Sequence, residues 1–300
     1  MTNMVSRSWP PEHGAVRTVA AHVEHLLAPN PSSWTYEGTN SYSIAHGGAS
    51  LLVDPAVTDP AHLDALRRRG EHDGRRVAAI LLTHDHPDHS DGARELAAMV
   101  DAPIICLSPR FADVRPDHDQ VLDVDGLAVH VLHTPGHSDD SVCLWLPDSA
   151  VLLTGDTLLG NRSAGVMGAL SDLFSSLTLI GDLGEDRDVI ALPGHGPDFT
   201  DVAGAAARVR AVRGKRIEQV RAHIIDGNTT LESLGAKIYP KLTGSRAMFG
   251  VSTLVSTVEH LAELDGQTGI PDDGQRQLIL ADIERYWRIR RAQMASSTST

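Results

Sequence analysis

The sequence predicts a layered α/β domain followed by a smaller helical domain, and three observations support this prediction. Short apolar runs alternate with short helical patterns over the first 200 residues, as in layered α/β folds. Beyond residue 200 the pattern is helical and lacks long β-branched runs. The charge balance changes at the same place: residues 1–200 contain 12 Lys and Arg against 28 Asp and Glu, whereas residues 201–300 contain 14 against 11.

We place the domain boundary after residue 204, so that residues 1–204 form the α/β domain and residues 205–295 the helical domain. The Ser- and Thr-rich end, residues 296–300, is expected to be a disordered tail. Of the 300 residues, 41% are hydrophobic and 22% are charged, which excludes collagen-like, coiled-coil and disordered chains. The acidic first part also argues against broad nonspecific binding to nucleic acid.

The sequence contains no predicted membrane or export segment. No apolar run reaches the length of about eighteen residues that a membrane span needs. The polar start, with Trp9-Pro10-Pro11, lacks the apolar stretch of a signal peptide. Cys106 and Cys143 lie inside apolar runs and are too few for a disulfide framework, so buried, reduced thiols are expected. We therefore predict a cytoplasmic protein without a membrane partner, and we leave its oligomeric state open.

The strands of the α/β domain are predicted from apolar and β-branched runs. In chain order they are Ser41–Ile44, Leu51–Val53, Val77–Leu82, Ile104–Leu107, Leu127–Leu132, Val142–Leu146, Val151–Leu153 and Val189–Leu192. Asp59-Pro60 is a start signal for a helix that ends at Gly70. A second helix is predicted after Ser90, because apolar residues recur there at helical spacing through Val100.

The helical domain is predicted to contain three helices, Val209–Ile225, Leu231–Tyr239 and Ser245–Leu264. Thr229 and Glu232 have the spacing of a capping box for the second of them. The Gly- and Asp-rich segment 265–274 after the third helix is typical of the wing of a winged-helix module. Any small helical bundle fits the same pattern nearly as well.

One short segment, Thr83–His89, combines three histidines and two aspartates directly after an apolar run. Crowded imidazoles lose solvation and repel one another when protonated, so packing does not explain them. Neutral imidazole and carboxylate are instead the ligands that suit a borderline cation such as zinc. We therefore predict a metal site at the end of this strand, in preference to a solvated polar loop.

Three further segments follow the same rule, in which a strand ends and the next loop presents one metal-ligating side chain. His137 follows Pro135-Gly136, Asp156 follows Gly155, and His195 follows Pro193-Gly194. Loops at one edge of the sheets would converge while the sheets fix their geometry. Together with His84, His86, Asp88 and His89 of the first segment they provide five histidines and two aspartates, which is the composition of a hydrolytic site with two metal ions.

In order and approximate spacing, these segments resemble the motifs of the metallo-β-lactamase superfamily of hydrolases, over roughly residues 20–200. The resemblance implies an αββα sandwich with the metals at one edge. It further implies that His84, His86 and His137 bind the first metal. The second metal would be bound by Asp88, His89 and His195, and Asp156 would be the bridging carboxylate.

A narrower resemblance rests on Asn30-Pro31, on the segment Thr35–Tyr42, and on Asp139, Asp140 and residues 157–160. These are similar to a β-lactamase-like subgroup whose members have a C-terminal winged-helix extension. One eukaryotic member of that subgroup is an endoribonuclease that cuts single-stranded RNA. The bacterial relatives are mostly unassigned hydrolases.

These observations lead to a functional hypothesis, a hydrolase that uses two divalent metals and a hydroxide bridging them to attack a small ester, thioester or lactone. Asp88 would also be the catalytic proton acceptor. We favour zinc, with iron and manganese left open, because histidine and carboxylate bind all three. A single-strand endoribonuclease and a non-enzymatic partner-binding protein are the alternatives.

One arginine and one basic stretch are relevant to which substrate the protein binds. Arg162 follows the Asp156 motif and is a candidate for holding an anionic group of a small-molecule substrate, although a surface arginine is the commoner case. The densest basic stretch consists of Arg208, Arg210, Arg213, Lys215, Arg216 and Arg221. Helical spacing scatters these charges around the axis, which favours a solvated face over an RNA-binding track. RNA is therefore an open but not favoured partner.

Overall fold

The structure is a computed structural model and describes residues 9–185, 187–228, 230–242, 245–264 and 273–297. It divides the chain into two compact units. The first comprises the described residues up to Ala164 together with Asp172–Arg208. The second comprises Gly165–Ser171 together with the described residues from Val209 onwards.

The first unit contains two β-sheets. One sheet has the strand order β1-β2-β3-β4-β5-β6, in which β1 to β4 are antiparallel and β4, β5 and β6 are parallel. Its strands are β1 (Arg17–Ala20), β2 (Val23–Leu27), β3 (Asn40–His46), β4 (Ala49–Val53), β5 (Arg76–Leu81) and β6 (Ile104–Ile105).

The other sheet has the order β11-β10-β9-β8-β7 and is antiparallel except for the pair β10 and β11. Its strands are β7 (Gln120–Val124), β8 (Leu127–His133), β9 (Val142–Leu146), β10 (Val151–Gly155) and β11 (Ile190–Pro193).

The core lies in two layers because side chains alternate between the faces of a strand. In β4, Leu51 and Val53 pack in a buried cluster with residues of the second sheet such as Leu144. Leu52 points the other way, into a second cluster that also contains Leu63 of a covering helix. Strand β4 is therefore apolar on both faces, which is why it has a continuous apolar run in the sequence.

The helices are α1 (Pro60–Gly70), α2 (Pro87–Ser90), α3 (Ala93–Val100), α4 (Leu170–Glu185), α5 (Val202–Ile225), α6 (Leu231–Ile238), α7 (Ser245–Glu263) and α8 (Asp273–Ser297). As predicted, Asp59 caps α1 and accepts a hydrogen bond of 2.8 Å from the backbone N–H of His62. The predicted α/β sandwich with a C-terminal helical region is confirmed. Among the described residues, no helix is both long and apolar enough to cross a bilayer.

The structure adds elements that the sequence patterns missed. Strands β1 and β7 are half-exposed, and β2, although mostly buried, contains Glu24 and His25, so the apolar runs of all three strands are short. Helix α4 was missed as well. The capping box of α6 is formed by Thr230 and Ser233, whereas Thr229 lies outside the described residues.

The C-terminal expectations meet the structure only in part. Of the predicted wing, residues 265–272 lie outside the described part of the chain. Helix α8 begins at Asp273 and continues to Ser297, two residues into the predicted tail. The rest of that tail also lies outside the described residues. The described residues of the second unit are helical where secondary structure is assigned, so the winged-helix expectation stays a prediction.

A buried histidine near the start of α1 predicts loss of stability in acid. His62 is 3% exposed, and its Nε2 lies 3.0 Å from Oγ of Ser41. The hydroxyl of Ser41 donates its proton to the carbonyl of Asp54, so Nε2 of His62 is the donor in its contact with Ser41. Burial lowers the pKa of His62 from 6.5 to about 4. Between these values the unfolded chain binds a proton that the folded chain does not. The free energy of unfolding should therefore fall as pH falls, by up to about 3 kcal/mol.

Urea unfolding of the wild type and His62→Gln at pH 7 and pH 4.5 measures this effect. The variant should lose less stability between the two pH values than the wild type does. An equal loss in both proteins would show that His62 does not contribute.

Candidate metal centre

Five strand ends meet at one edge of the two sheets. Each of β4, β5, β8, β10 and β11 is followed by a polar segment, namely Asp54, Thr83–His89, His137, Asp156 and His195. Two backbone hydrogen bonds of 2.8 Å hold these loops together: the N–H of Val142 donates to the carbonyl of Thr83, and that of Gly194 donates to Gly155. The rigid strands thus fix where the loop side chains lie.

The first group of side chains consists of three imidazoles. Nδ1 of His86 lies 2.9 Å from Nε2 of His84 and 2.9 Å from Nε2 of His137. Burial and, to a smaller extent, the neighbouring imidazoles lower the pKa of His84 well below its usual value and that of His86 to about 3. These two rings are therefore neutral at pH 7, with lone pairs available to a cation.

The second group consists of Asp88, His89 and His195. Nε2 of His195 lies 3.2 Å from Oδ2 of Asp88 and 3.3 Å from Nε2 of His89. Burial acts to lower the pKa of His195, but the nearby carboxylates of Asp156 and Asp88 raise it to about 10. Burial likewise opposes ionisation of Asp88, yet the adjacent histidines lower its pKa to about 2. A bound cation would replace the protons that otherwise balance these carboxylates.

Asp156 lies between the two groups. Its Oδ2 is 3.5 Å from Nε2 of His195 and 3.8 Å from Nε2 of His137, one residue from each group. Its Oδ1 is buried and has no hydrogen-bond partner among the described residues. A buried carboxylate oxygen without a donor is costly, so this atom is placed to receive a ligand.

The donor atoms fit divalent cations. Nitrogen ligands at about 2.0–2.1 Å from a tetrahedral zinc ion stand roughly 3.3 Å apart. The nitrogen separations in the two groups, 2.9 to 3.3 Å, are close to that value. All seven side chains predicted as ligands take part in groups whose donor atoms lie within 4.8 Å of one another. The structure brings these seven side chains together, and their identity suggests divalent metal binding.

One important residue, Asp54, was missed. Its Oδ1 accepts from the backbone N–H of Thr83 at 2.7 Å, and its Oδ2 accepts from Thr83 Oγ1 at 2.7 Å and from Nδ1 of His89 at 2.8 Å. It therefore orients the Nε2 of His89 toward Asp88 and Asp156. The signal was present, because Asp54 follows the apolar run Leu51–Val53 just as Asp156 follows its strand.

Arg162 lies beside the metal centre. Its guanidinium makes two hydrogen bonds of 3.1 Å to the carboxylate of Glu37 and stacks 3.9 Å from the ring centroid of Tyr36. The Tyr36 ring is in turn 6.4 Å from the ring of His195, edge to face. Arg162 is therefore held in place, and the carboxylate of Glu37 balances its positive charge.

The basic stretch near the unit boundary is largely paired. Arg208 makes an ion pair with Asp201, and Arg221 with Glu218. Arg216 stacks on Tyr239 at 4.6 Å. These contacts favour the structural interpretation of the stretch over a row of cations facing a nucleic-acid backbone.

The space around Gly194 is too small for a side chain, which predicts that even a methyl group there disturbs the site. A Cβ atom there would lie 2.5 Å from Oδ1 of Asp156 and 2.7 Å from Cε1 of His89, so both side chains would have to move. We expect Gly194→Ala to reduce bound metal substantially, as measured by elemental analysis after dialysis. Gly214→Ala in α5 is the control, because nothing lies within 4 Å of its Cβ position. It should retain the metal and gain up to about 1 kcal/mol in stability. Full metal content in Gly194→Ala would contradict the tight packing.

Comparison with known proteins gives the family. The sequence profile of the "Metallo-beta-lactamase superfamily" matches residues 34–112 and 107–218. An "Atrochrysone carboxyl ACP thioesterase" of Passalora fulva is 28% identical over 291 residues, covering 91% of this chain and 85% of that protein. A protein of the same name from Aspergillus chevalieri is 30% identical over 212 residues, covering 68% of this chain and 66% of that protein.

A solved structure agrees. A metallo-beta-lactamase family protein from Thermus thermophilus superposes with a TM-score of 0.70 at 24% identity, covering 82% of this chain and 95% of that one. The chain belongs to the metallo-beta-lactamase superfamily. It is an enzyme of the hydrolase class.

Proposed function

We propose that the chain is a binuclear metallohydrolase that cleaves a small thioester. The observation that carries this proposal is the pair of donor groups with the orphaned Oδ1 of Asp156 between them. His84, His86 and His137 would hold one cation, and Asp88, His89 and His195 the other, with Asp156 shared. Zinc is the metal we favour, since imidazole and carboxylate in tetrahedral spacing suit it.

When bound, two such cations would supply Lewis-acid chemistry, which activates water and polarises the substrate carbonyl. The side chains of this protein have separate tasks. Asp88 is ionised at neutral pH because its pKa is about 2, so it is in the form that accepts a proton. Its side chain is 29% exposed, which gives that proton a path to solvent. Asp54 keeps the ring of His89 in one orientation through the bond to Nδ1.

The substrate class comes from the relatives and from the reaction. Two relatives are named as thioesterases, and each aligns with two thirds or more of this chain. In thioester hydrolysis the oxygen of water forms a C–O bond, the C–S bond breaks, and the thiolate leaves and takes up a proton that comes from that water. The reaction needs no nucleophilic side chain. Cys106 and Cys143 are both buried, and burial raises the pKa of each thiol to about 11, so neither competes for this role.

Arg162 and Tyr36 form a further part of this proposal. Because Glu37 matches the charge of Arg162, we propose that Arg162 acts by fixing Tyr36 as a wall beside His195. Arg162→Met should then raise KM for a thioester while leaving metal content unchanged. A fall in metal content would place Arg162 in the support of the metal centre instead.

The test of the proposed function is a paired measurement. Metal per chain is determined on protein purified without added metal, and hydrolysis of a panel of acyl thioesters, aryl esters and lactones is followed with and without a chelator. Two metals per chain and chelator-sensitive thioester hydrolysis are expected. A chain that holds less than one metal, or hydrolyses thioesters equally well after chelation, would overturn the proposal.

The runner-up is cleavage of single-stranded RNA, with the helical domain, residues 205–295, holding the strand. It predicts binding of single strands that weakens steeply with salt. The pairing of Arg208 and Arg221 with acidic neighbours speaks against it. Salt-independent or absent binding of single-stranded RNA in a filter assay would remove this alternative.

A further inference from the structure

The turn that carries His195 is held from one side by a single amide side chain. Nδ2 of Asn40 donates two hydrogen bonds of 2.8 Å, to the carbonyls of Pro193 and Gly196. The backbone N–H of Asn40 donates a third, also 2.8 Å, to the carbonyl of Gly194. Three of the carbonyls around His195 are thus bound by one residue, which is only 1% exposed. Neither the metal groups nor the proposed reaction uses Asn40.

The orientation of this amide is fixed by a second buried residue. Oδ1 of Asn40 lies 2.8 Å from Nε2 of His25, which is 2% exposed. Because Nδ2 of Asn40 donates to two carbonyls, its Oδ1 is the acceptor, so Nε2 of His25 carries the proton. Nδ1 of His25 is buried without a hydrogen-bond partner among the described residues. His25 therefore has one defined tautomer, set by its contact with Asn40.

The hydrogen bonds to this turn give the imidazole ring of His195 a defined orientation. Nδ1 of His195 lies 3.2 Å from the carbonyl of Gly38 and donates to it, so in the neutral ring, the form that binds a metal, the lone pair is on Nε2. This Nε2 faces the carboxylates of Asp88 and Asp156. We propose that Asn40, oriented by His25, is a positioning residue that fixes the 193–196 turn and thereby aims Nε2 of His195 into the second metal group. The consequence for metal binding rests on the proposed function.

Cobalt binding to the full chain tests this inference, because cobalt at each position has its own visible spectrum. His25→Leu removes the donor to Asn40 and should weaken the second cobalt equivalent about tenfold. His25→Gln should restore it, because the amide nitrogen of Gln can take the position of Nε2 and donate. Tyr42→Phe is the matched control. The hydroxyl of Tyr42 donates at 2.7 Å to the carbonyl of Pro193, and in the variant this carbonyl keeps its hydrogen bond of 2.8 Å from Nδ2 of Asn40.

We expect Tyr42→Phe to keep its second cobalt within about twofold of the wild type. If Tyr42→Phe weakens cobalt as much as His25→Leu, or if His25→Gln fails to rescue, Asn40 and His25 serve only general packing and the inference is overturned. Should His25→Leu not fold, Asn40→Asp provides the same comparison, because its carboxylate cannot donate to the two carbonyls.

A metal-independent readout separates this inference from the proposed function. Proton–nitrogen spectra of histidine-labelled, metal-free protein should show His25 with its proton on Nε2. In Asn40→Asp the ring signals of His195 should shift, whereas in Tyr42→Phe they should not. If the wild type binds no cobalt but these shifts occur, the proposed function fails and the positioning role stands. Unchanged His195 signals in Asn40→Asp overturn the positioning role whatever the metal content.

Discussion

Replacement of Asp156 by alanine is expected to lower bound metal from two per chain to one or fewer and to reduce hydrolysis at least about a thousandfold. A thousandfold loss corresponds to about 4 kcal/mol of lost transition-state stabilisation, a reasonable size for a carboxylate shared by two cations. Oδ2 of Asp156 approaches both groups, at 3.5 Å from Nε2 of His195 and 3.8 Å from Nε2 of His137. Elemental analysis and thioester hydrolysis on the same preparation measure both effects.

Asp85→Ala is the matched control for this experiment. Asp85 is a carboxylate of the neighbouring Thr83–His89 loop, but its Oδ2 accepts from Ser108 Oγ at 2.6 Å and it takes part in none of the metal groups found among the described residues. It should retain both metals. An Asp156→Ala protein with two metals and full activity would refute the bridging role. Equal losses in the two variants would indicate general damage to the loops at this edge of the sheets.

The second large effect is expected for Asp54→Asn. The carboxylate of Asp54 accepts three hydrogen bonds, two from Thr83 and one from His89, and it is 1% exposed. An amide of the same shape must turn its NH₂ toward at least one of these donors. We expect stability to fall by about 2–4 kcal/mol. Metal affinity should fall by about 10–100-fold, because the ring of His89 is no longer oriented.

Asp59→Asn separates this effect from a general response to the same substitution. Asp59 caps α1, and asparagine caps a helix about as well as aspartate, so the change should alter stability by only a few tenths of a kcal/mol. Denaturant unfolding and competitive chelator titration provide the two measurements. Wild-type metal affinity in Asp54→Asn would show that His89 is oriented without this carboxylate.

The metal groups were predictable from the sequence because their signals are local. Thr83–His89 contains four of the proposed ligands within six residues, directly after a strand whose apolar run is unbroken. Asp54 was overlooked because a single aspartate before a proline looks like an ordinary turn, and its partner Thr83 is 29 residues away. The pairing of Arg162 with Glu37 spans 125 residues, so no local pattern contains it.

The missed elements have a similar explanation. Strand β7 alternates half-exposed and exposed positions until Val124, and its pairing with β8 rather than its own composition makes it a strand. Helix α4 contains Gly181, and its apolar residues are not preceded by a clear start signal for a helix. In both cases tertiary contacts decide the local structure, and these contacts are not visible in a short window of sequence.

The parallel pairing of β10 with β11 determines where this enzyme can accept inserted residues. Asp156 and His195 each follow one of these two strands, and the hydrogen bond from Gly194 to Gly155 joins the strand ends. Their separation is thus set by the spacing between neighbouring strands, about 4.8 Å, which every β-sheet shares. Insertions in the long connection 157–189 leave that spacing intact. A single residue inserted within β10 would turn Asp156 to the opposite face.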